Sequence, residues 1–203
     1  MSLPTLGTDR LVLREMAESD ADGLHAAFGN ADAMRFWNSP PTRTVADTAL
    51  LIKKALTGRR IGHGVWAILR RDGPFVGMIN YHHREVKNQR LELGWIVVPA
   101  YWRQGIMTEA ASAILGHCFG TMKMHRVEAL IEPENLSSLA LAAKLGFVNE
   151  GLLRDRLLVS GGFRNVQMHA LLKPEWHTPA VKPESQAATS MTSSETISSG
   201  SPR

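Results

Sequence analysis

The chain has 203 residues, 44% hydrophobic and 21% charged, with a formal net charge of +4. That composition excludes disordered and fibrous classes and is long enough for one domain with a real core. The basic excess is not gathered into a Lys/Arg block, which argues against a nucleic-acid groove. A single cysteine, Cys118, excludes an intramolecular disulfide framework. No window approaches the ~18 apolar residues of a membrane span, and the N-terminus lacks the apolar run of a signal peptide, so a cytoplasmic location and no membrane partner are expected.

Leu11 to Leu13 reads as a short first strand. Ser19 or Asp20 is a plausible cap for a helix carrying Leu24, Ala27 and Phe28. A second helix follows Pro40-Pro41, with Val45, Ala49, Ile52 and Leu56 on one face and Gly58 closing it. From Gly64 the period becomes two. VWAILRR and FVGMINYH read as a β-hairpin turning at Arg71-Asp72-Gly73-Pro74, and a turn at Lys87-Asn88-Gln89 leads to the strand Arg90–Val98. The next helix is apolar at Ala111, Ile114, Leu115, Cys118, Phe119 and Met122. A strand at Arg126–Ile131, a short helix from Asn135 to Gly146 and a hairpin turning at Ser160-Gly161-Gly162 complete the domain. A meander followed by helices is an α+β organisation. The domain is expected over residues 8–176, and the Ser/Thr/Pro-rich stretch 177–203 is expected to be a disordered tail.

The run VVPAYWRQGIMTEAAS, residues 97–112, joins a strand end, a glycine loop and a helix start. A row of backbone N–H groups at such a helix N-terminus is a ready anion site, and Gly105 permits close approach. Arg103 and Gln104 add donors, and Thr108 can cap the first turn. Cys118 falls on the apolar helix face and reads as a structural thiol. The histidines suggest no metal: no pair has helical ligand spacing, and the single cysteine offers no thiolate cluster. Adjacent His82 and His83 are expected to point to opposite strand faces, so that only one can line a cleft.

Four stretches together resemble the GCN5-related N-acetyltransferases (GNAT) and, within them, the RimJ/RimL-like branch: TDRLVLRE, LGWIVVPAYWRQGIMTEA, NLSSLALAAKLGF and GGFRNVQMHALLKPEW. The resemblance implies a mixed α/β, GNAT-type acyl-CoA N-acyltransferase fold: a mostly antiparallel twisted sheet of six or seven strands flanked by helices, with Arg90–Val98 and Arg126–Ile131 splaying apart around acetyl-CoA. By that resemblance Ile96, Val97 and Val98 bind through their backbones. Arg103, Gln104, Gly105, Ile106, Met107 and Thr108 form the cofactor loop, and Asn135 contacts the cofactor or a bound water near the thioester, a helix cap being the commoner role for a lone asparagine there. Trp102 and Met107 depart from the broad family pattern.

Ser138 is a candidate donor to the thiolate. Glu92 is a candidate water-linked base, although its odd offset from Val97 turns it to the opposite side unless a bulge intervenes. The tyrosine expected four residues after Ser138 is Ala142, and a carboxylate position is Leu157. Phe36, Trp37 and Tyr81 are candidates for the acceptor pocket, with core packing the commoner role for such residues. The function implied is direct acetyl transfer from acetyl-CoA to an amine, either a protein N-terminal α-amine or a small molecule, by a monomer or homodimer. The alternative is a non-catalytic acyl-CoA-binding module.

Overall fold

The period of two that begins at Gly64 becomes the centre of one sheet. A computed structural model describes residues 3–57 and 62–177; Gly58 and the stretch from 178 onward lie outside the described residues. The elements in chain order are β1 (Leu6–Gly7), β2 (Leu11–Glu15), α1 (Ala21–Phe28), α2 (Ala31–Met34), α3 (Val45–Thr57), β3 (Gly64–Arg70), β4 (Phe75–Glu85), β5 (Arg90–Val97), α4 (Ile106–Gly120), β6 (Arg126–Ile131), α5 (Leu136–Lys144), β7 (Val148–Val159) and β8 (Gly162–Leu172). The sheet has eight strands in the order β1-β2-β3-β4-β5-β6-β8-β7. Among the described residues, only β5 and β6 pair in parallel.

Eight strands exceed the six or seven expected because β1 is two residues long, paired to Val12 and Leu13. A segment that short leaves no periodic signal. The four-residue α2 is missed for the same reason, although Asn30 caps it by accepting the Ala33 N–H at 2.9 Å. Asp20 corrects another expectation. It stands before α1 yet makes no side-chain cap bond there; its carboxylate takes Arg14 at 2.8 and 2.6 Å and the Ala17 N–H at 2.8 Å.

Each face of the sheet buries a separate cluster. On one side α4 presses Ala111, Ile114, Leu115, Cys118 and Phe119 against Leu91, Leu93, Val127 and Ala129. On the other, Leu24 and Phe28 of α1 and Ile52 of α3 meet Met78, Ile96 and Val98. Burying one such Leu or Ile contributes roughly 1.5–3 kcal/mol. The alternation along β5 and into the next residue is therefore strict: Leu91, Leu93, Trp95 and Val97 lean toward α4, and Ile96 and the following Val98 lean toward α1. Its register against β4 runs unbroken from Glu92 to Val97. The irregularity falls earlier, between His82 and Glu85, where His83 has φ 51°.

Candidate active site

The sheet opens where β5 and β6 part. Their ladder covers Arg90–Arg126, Leu91–Val127 and Glu92–Glu128 and then stops. Beyond it lies a cavity of about 760 Å³, walled by Leu93 to Val97 on one side and Ala129 to Glu132 on the other. Asn135, Ser137, Ser138 and Leu141 come from the α5 side, and Arg103, Gly105, Ile106, Met107 and Thr108 from the start of α4.

Gly105 is the N-cap residue of α4, with φ 73°, and supplies no side-chain cap to its first amides. A helix leaves its first amides without intrahelical partners, so those of Ile106, Met107 and Thr108 are presented at the cavity. Thr108 is not the cap expected: it is the third helical residue, and its carbonyl accepts Ser112 Oγ at 2.8 Å. Met107 buries its side chain in the core, which leaves its backbone on the wall.

The turn between β1 and β2 holds this helix start in place. Glu109 accepts Thr8 Oγ1 at 2.6 Å, the Arg10 N–H at 2.9 Å and Arg10 Nε at 2.6 Å. Burial opposes the ionised Glu109, but these bonds hold its carboxyl below the usual value. Arg10 Nη1 also donates to the Gln104 carbonyl at 3.1 Å. The cation offsets a carboxylate that would otherwise repel an anion at the same helix end. From the other side, Trp102 Nε1 donates to Val97 O at 2.8 Å.

Three expected binders are placed differently. Gln104 is not on the wall; its amide donates back to Ala100 O at 3.1 Å. Val98 is also off the wall, with its N–H on Val76 O at 2.9 Å. In an antiparallel ladder both polar groups of a residue face the same side, so Ile96 and Val98 spend theirs on β4. Trp95 and Val97 turn theirs into the cleft, and only Val97 of that expected trio offers its backbone there.

Asn135 caps α5, accepting the Ser138 N–H at 3.1 Å and Ser137 Oγ at 3.0 Å. With Oδ1 so occupied, its amide Nδ2 is the group left for the cavity. Ser138 also lines the wall, and its Oγ accepts Trp95 Nε1 at 3.2 Å. That bond fills a lone pair of the hydroxyl and leaves its proton free to donate. Trp95 was missed from sequence because it sits inside a run that reads as core strand.

Glu92 does not line the cavity. No bulge alters its parity, and its carboxylate is held by His82 Nε2 at 3.0 Å and His83 Nδ1 at 3.2 Å. Burial would raise its pKa, yet the two imidazoles hold it below the usual value. The opposite-face expectation for His82 and His83 also fails: the irregularity at His83 brings their rings within 4.8 Å of each other. Phe36 and Trp37 line the cavity, as do Asp32, Leu157 and Val166. Tyr81 is buried in the core instead. Cys118 is fully buried, and burial pushes its thiol up to about 12, which removes it as a covalent acyl carrier.

Residues 10–148 match the family model described as the Acetyltransferase (GNAT) domain. The chain belongs to the GNAT acetyltransferase family. It is 30% identical over 178 residues to an uncharacterized N-acetyltransferase, p20, of Bacillus licheniformis, covering 86% of this chain and 99% of that one. It is 25% identical over 156 residues to a spermidine N(1)-acetyltransferase of Escherichia coli, covering 75% and 81%. Among solved structures, a GNAT-family acetyltransferase of Bacillus anthracis superposes with a TM-score of 0.76 at 25% identity, covering 85% and 100%. The protein is thus an N-acetyltransferase that moves an acetyl group to an amine, and the non-catalytic alternative is set aside. In this GNAT chain the residue at the phenol position, Ala142, is fully buried and off the wall, and Leu157 is on it. Neither supplies a proton.

Proposed function

We propose that the cleft between β5 and β6 takes acetyl-CoA and that the chain transfers the acetyl group directly to a primary amine. The single observation behind this reading is the helix start of α4, with no side-chain cap, opening into the gap left where the β5–β6 ladder ends. The amides of Ile106, Met107 and Thr108 suit a pyrophosphate, with Arg103 adding charge at the mouth. With the Val97 carbonyl already accepting Trp102 Nε1, the N–H groups of Trp95 and Val97 and the Trp95 carbonyl form an edge that suits an extended amide-bearing chain. When bound, acetyl-CoA supplies the acetyl thioester.

Around it the protein's groups act in turn. The Val97 and Trp95 edge offers N–H donors where carbonyl charge grows, and such donors are typically worth ~10²–10³ in rate. Ser138, its oxygen occupied by Trp95 Nε1, directs its proton toward a departing thiolate. The amine's own proton leaves through water at the open mouth, since Glu92 is held away by its histidines. Orientation in the cleft carries most of the acceleration.

The acceptor end is aromatic and apolar, with Phe36, Trp37, Leu157 and Val166, and its carboxylates are Asp32 and Glu132. Glu132 is already engaged by Arg164 at 2.9 Å. A single uncommitted carboxylate beside apolar walls suits a monocationic amine, such as the α-amine of a peptide N-terminus, over a polyamine. That acceptor matches the RimJ/RimL-like branch and a cytoplasmic enzyme. The test is thiol release from acetyl-CoA with a panel of peptide N-termini, amino acids and polyamines. Release with N-terminal peptides above polyamines is expected; preference for polyamines would reverse the acceptor assignment.

A further inference from the structure

The β4–β5 pair carries a second constellation, separate from the cleft. His82 Nε2 and His83 Nδ1 stand 3.0 and 3.2 Å from the two oxygens of Glu92. All three ligand-type atoms lie within 4.8 Å of one another. Adjacent strand residues normally project to opposite faces. Here the register shift after His82 and the positive φ of His83 fold the second ring round to the carboxylate.

We propose that His82 Nε2, His83 Nδ1 and the Glu92 carboxylate form a binding site for one zinc-class divalent ion, with an open coordination position taken by water. Two imidazoles and one carboxylate are a donor set of this class, at metal–ligand distances of ~2.0–2.2 Å. Ligands that close to one ion stand ~3.3 Å apart when tetrahedral, near the two separations seen. The remaining separation closes by movement of the exposed His83 ring. The site is reachable from solvent at His83 and anchored by the largely buried Glu92. The neighbouring cation does not oppose it: Arg84 is felt at His117 and Cys118 of α4, on the other face of the sheet.

A second observation points the same way. Asn80 approaches His82 Nδ1 with its amide nitrogen at 3.3 Å, while its Oδ1 is buried and has no partner. A metal on Nε2 fixes the ring as the Nδ1–H tautomer, which needs an acceptor beside it. A half-turn of the Asn80 amide offers that acceptor and gives the orphaned oxygen a donor. The ion would then tie β4 to β5 at Glu92, the last β5 residue paired with β6 before the cleft opens.

The test uses the full chain freed of metal, titrated with zinc against a chromophoric chelator and, separately, with cobalt followed by visible absorption. One tight equivalent and a cobalt spectrum of low-symmetry nitrogen–oxygen ligation are expected, with a zinc-induced rise in melting temperature. Asn80→Ala should weaken zinc about tenfold to a hundredfold, and His83→Ala should weaken it more. His125→Ala, an exposed histidine elsewhere, should leave affinity unchanged. His83→Ala should keep the wild-type circular dichroism spectrum, which confirms its fold. Equal zinc affinity in the wild type and His83→Ala, or no binding at equimolar ion, would overturn the site.

Discussion

Trp95 and Ser138 show how one hydrogen bond can decide what a hydroxyl does. The indole fills an oxygen lone pair at 3.2 Å, so the serine proton is free to turn to the cleft. Ser138→Ala should lower kcat about a hundredfold, a usual loss for a positioned proton donor. Trp95→Phe keeps the ring but removes the donor; it should lower kcat severalfold and leave KM for acetyl-CoA within about threefold. Steady-state kinetics on both variants check this. A rise in KM with kcat unchanged would make the pair a binding contact and nothing more. Ser138 was legible from its place after Asn135. Trp95 was not, because an indole in an apolar strand looks like core until its partner is known.

At the scale of elements, the start of α4 combines three conditions: free amides, a left-handed Gly105 and a neutralised Glu109. Gly105 tests charge separately from shape. An added Cβ there would approach only Arg10 Nη2, at 3.5 Å, so space is not limiting. Asn and Asp both tolerate the left-handed region better than other side chains and have nearly the same shape. Gly105→Asn should retain most of the CoA-induced thermal shift, and Gly105→Asp should lose it through repulsion of the pyrophosphate. Thermal melts with and without CoA distinguish them. An unchanged shift in the Asp variant would remove the anion site from this loop. The glycine loop and its helix were readable from composition and period. The clamp from Thr8 and Arg10 onto Glu109 was not, since it joins residues about a hundred positions apart.

For the whole molecule, buried His169 and half-buried His117 shape the response to acid. His169 lies in β8 between Ala129 of β6 and Asn149 of β7, with Nε2 on Gln167 at 3.2 Å. Burial lowers its pKa, and His117 is lowered by burial and then by Arg84. Each ring therefore stays neutral in the folded state while the unfolded chain protonates near 6.5. The unfolded state then binds more protons, so stability is full above about 6.5 and declines as the pH falls toward the lower folded values. Melting temperature followed from pH 8 to pH 5.5 should fall, and His169→Gln should flatten the decline. A variant curve parallel to the wild type would remove His169 from this response.

Hydrophobic period, glycine and proline positions determined the longer helices, the central meander, the closing hairpin and the loop that faces the cleft, because these are local signals written within about a dozen residues. The four matching stretches also carried the family. Tertiary structure alone decided where the ladder between β5 and β6 ends, which β5 residues turn their backbones to the gap, and that Glu92 is captured by His82 and His83. Those outcomes depend on register and on one irregular residue in a neighbouring strand. A shift of one position reverses every side chain's face, and no local pattern in β5 records what β4 does beside it.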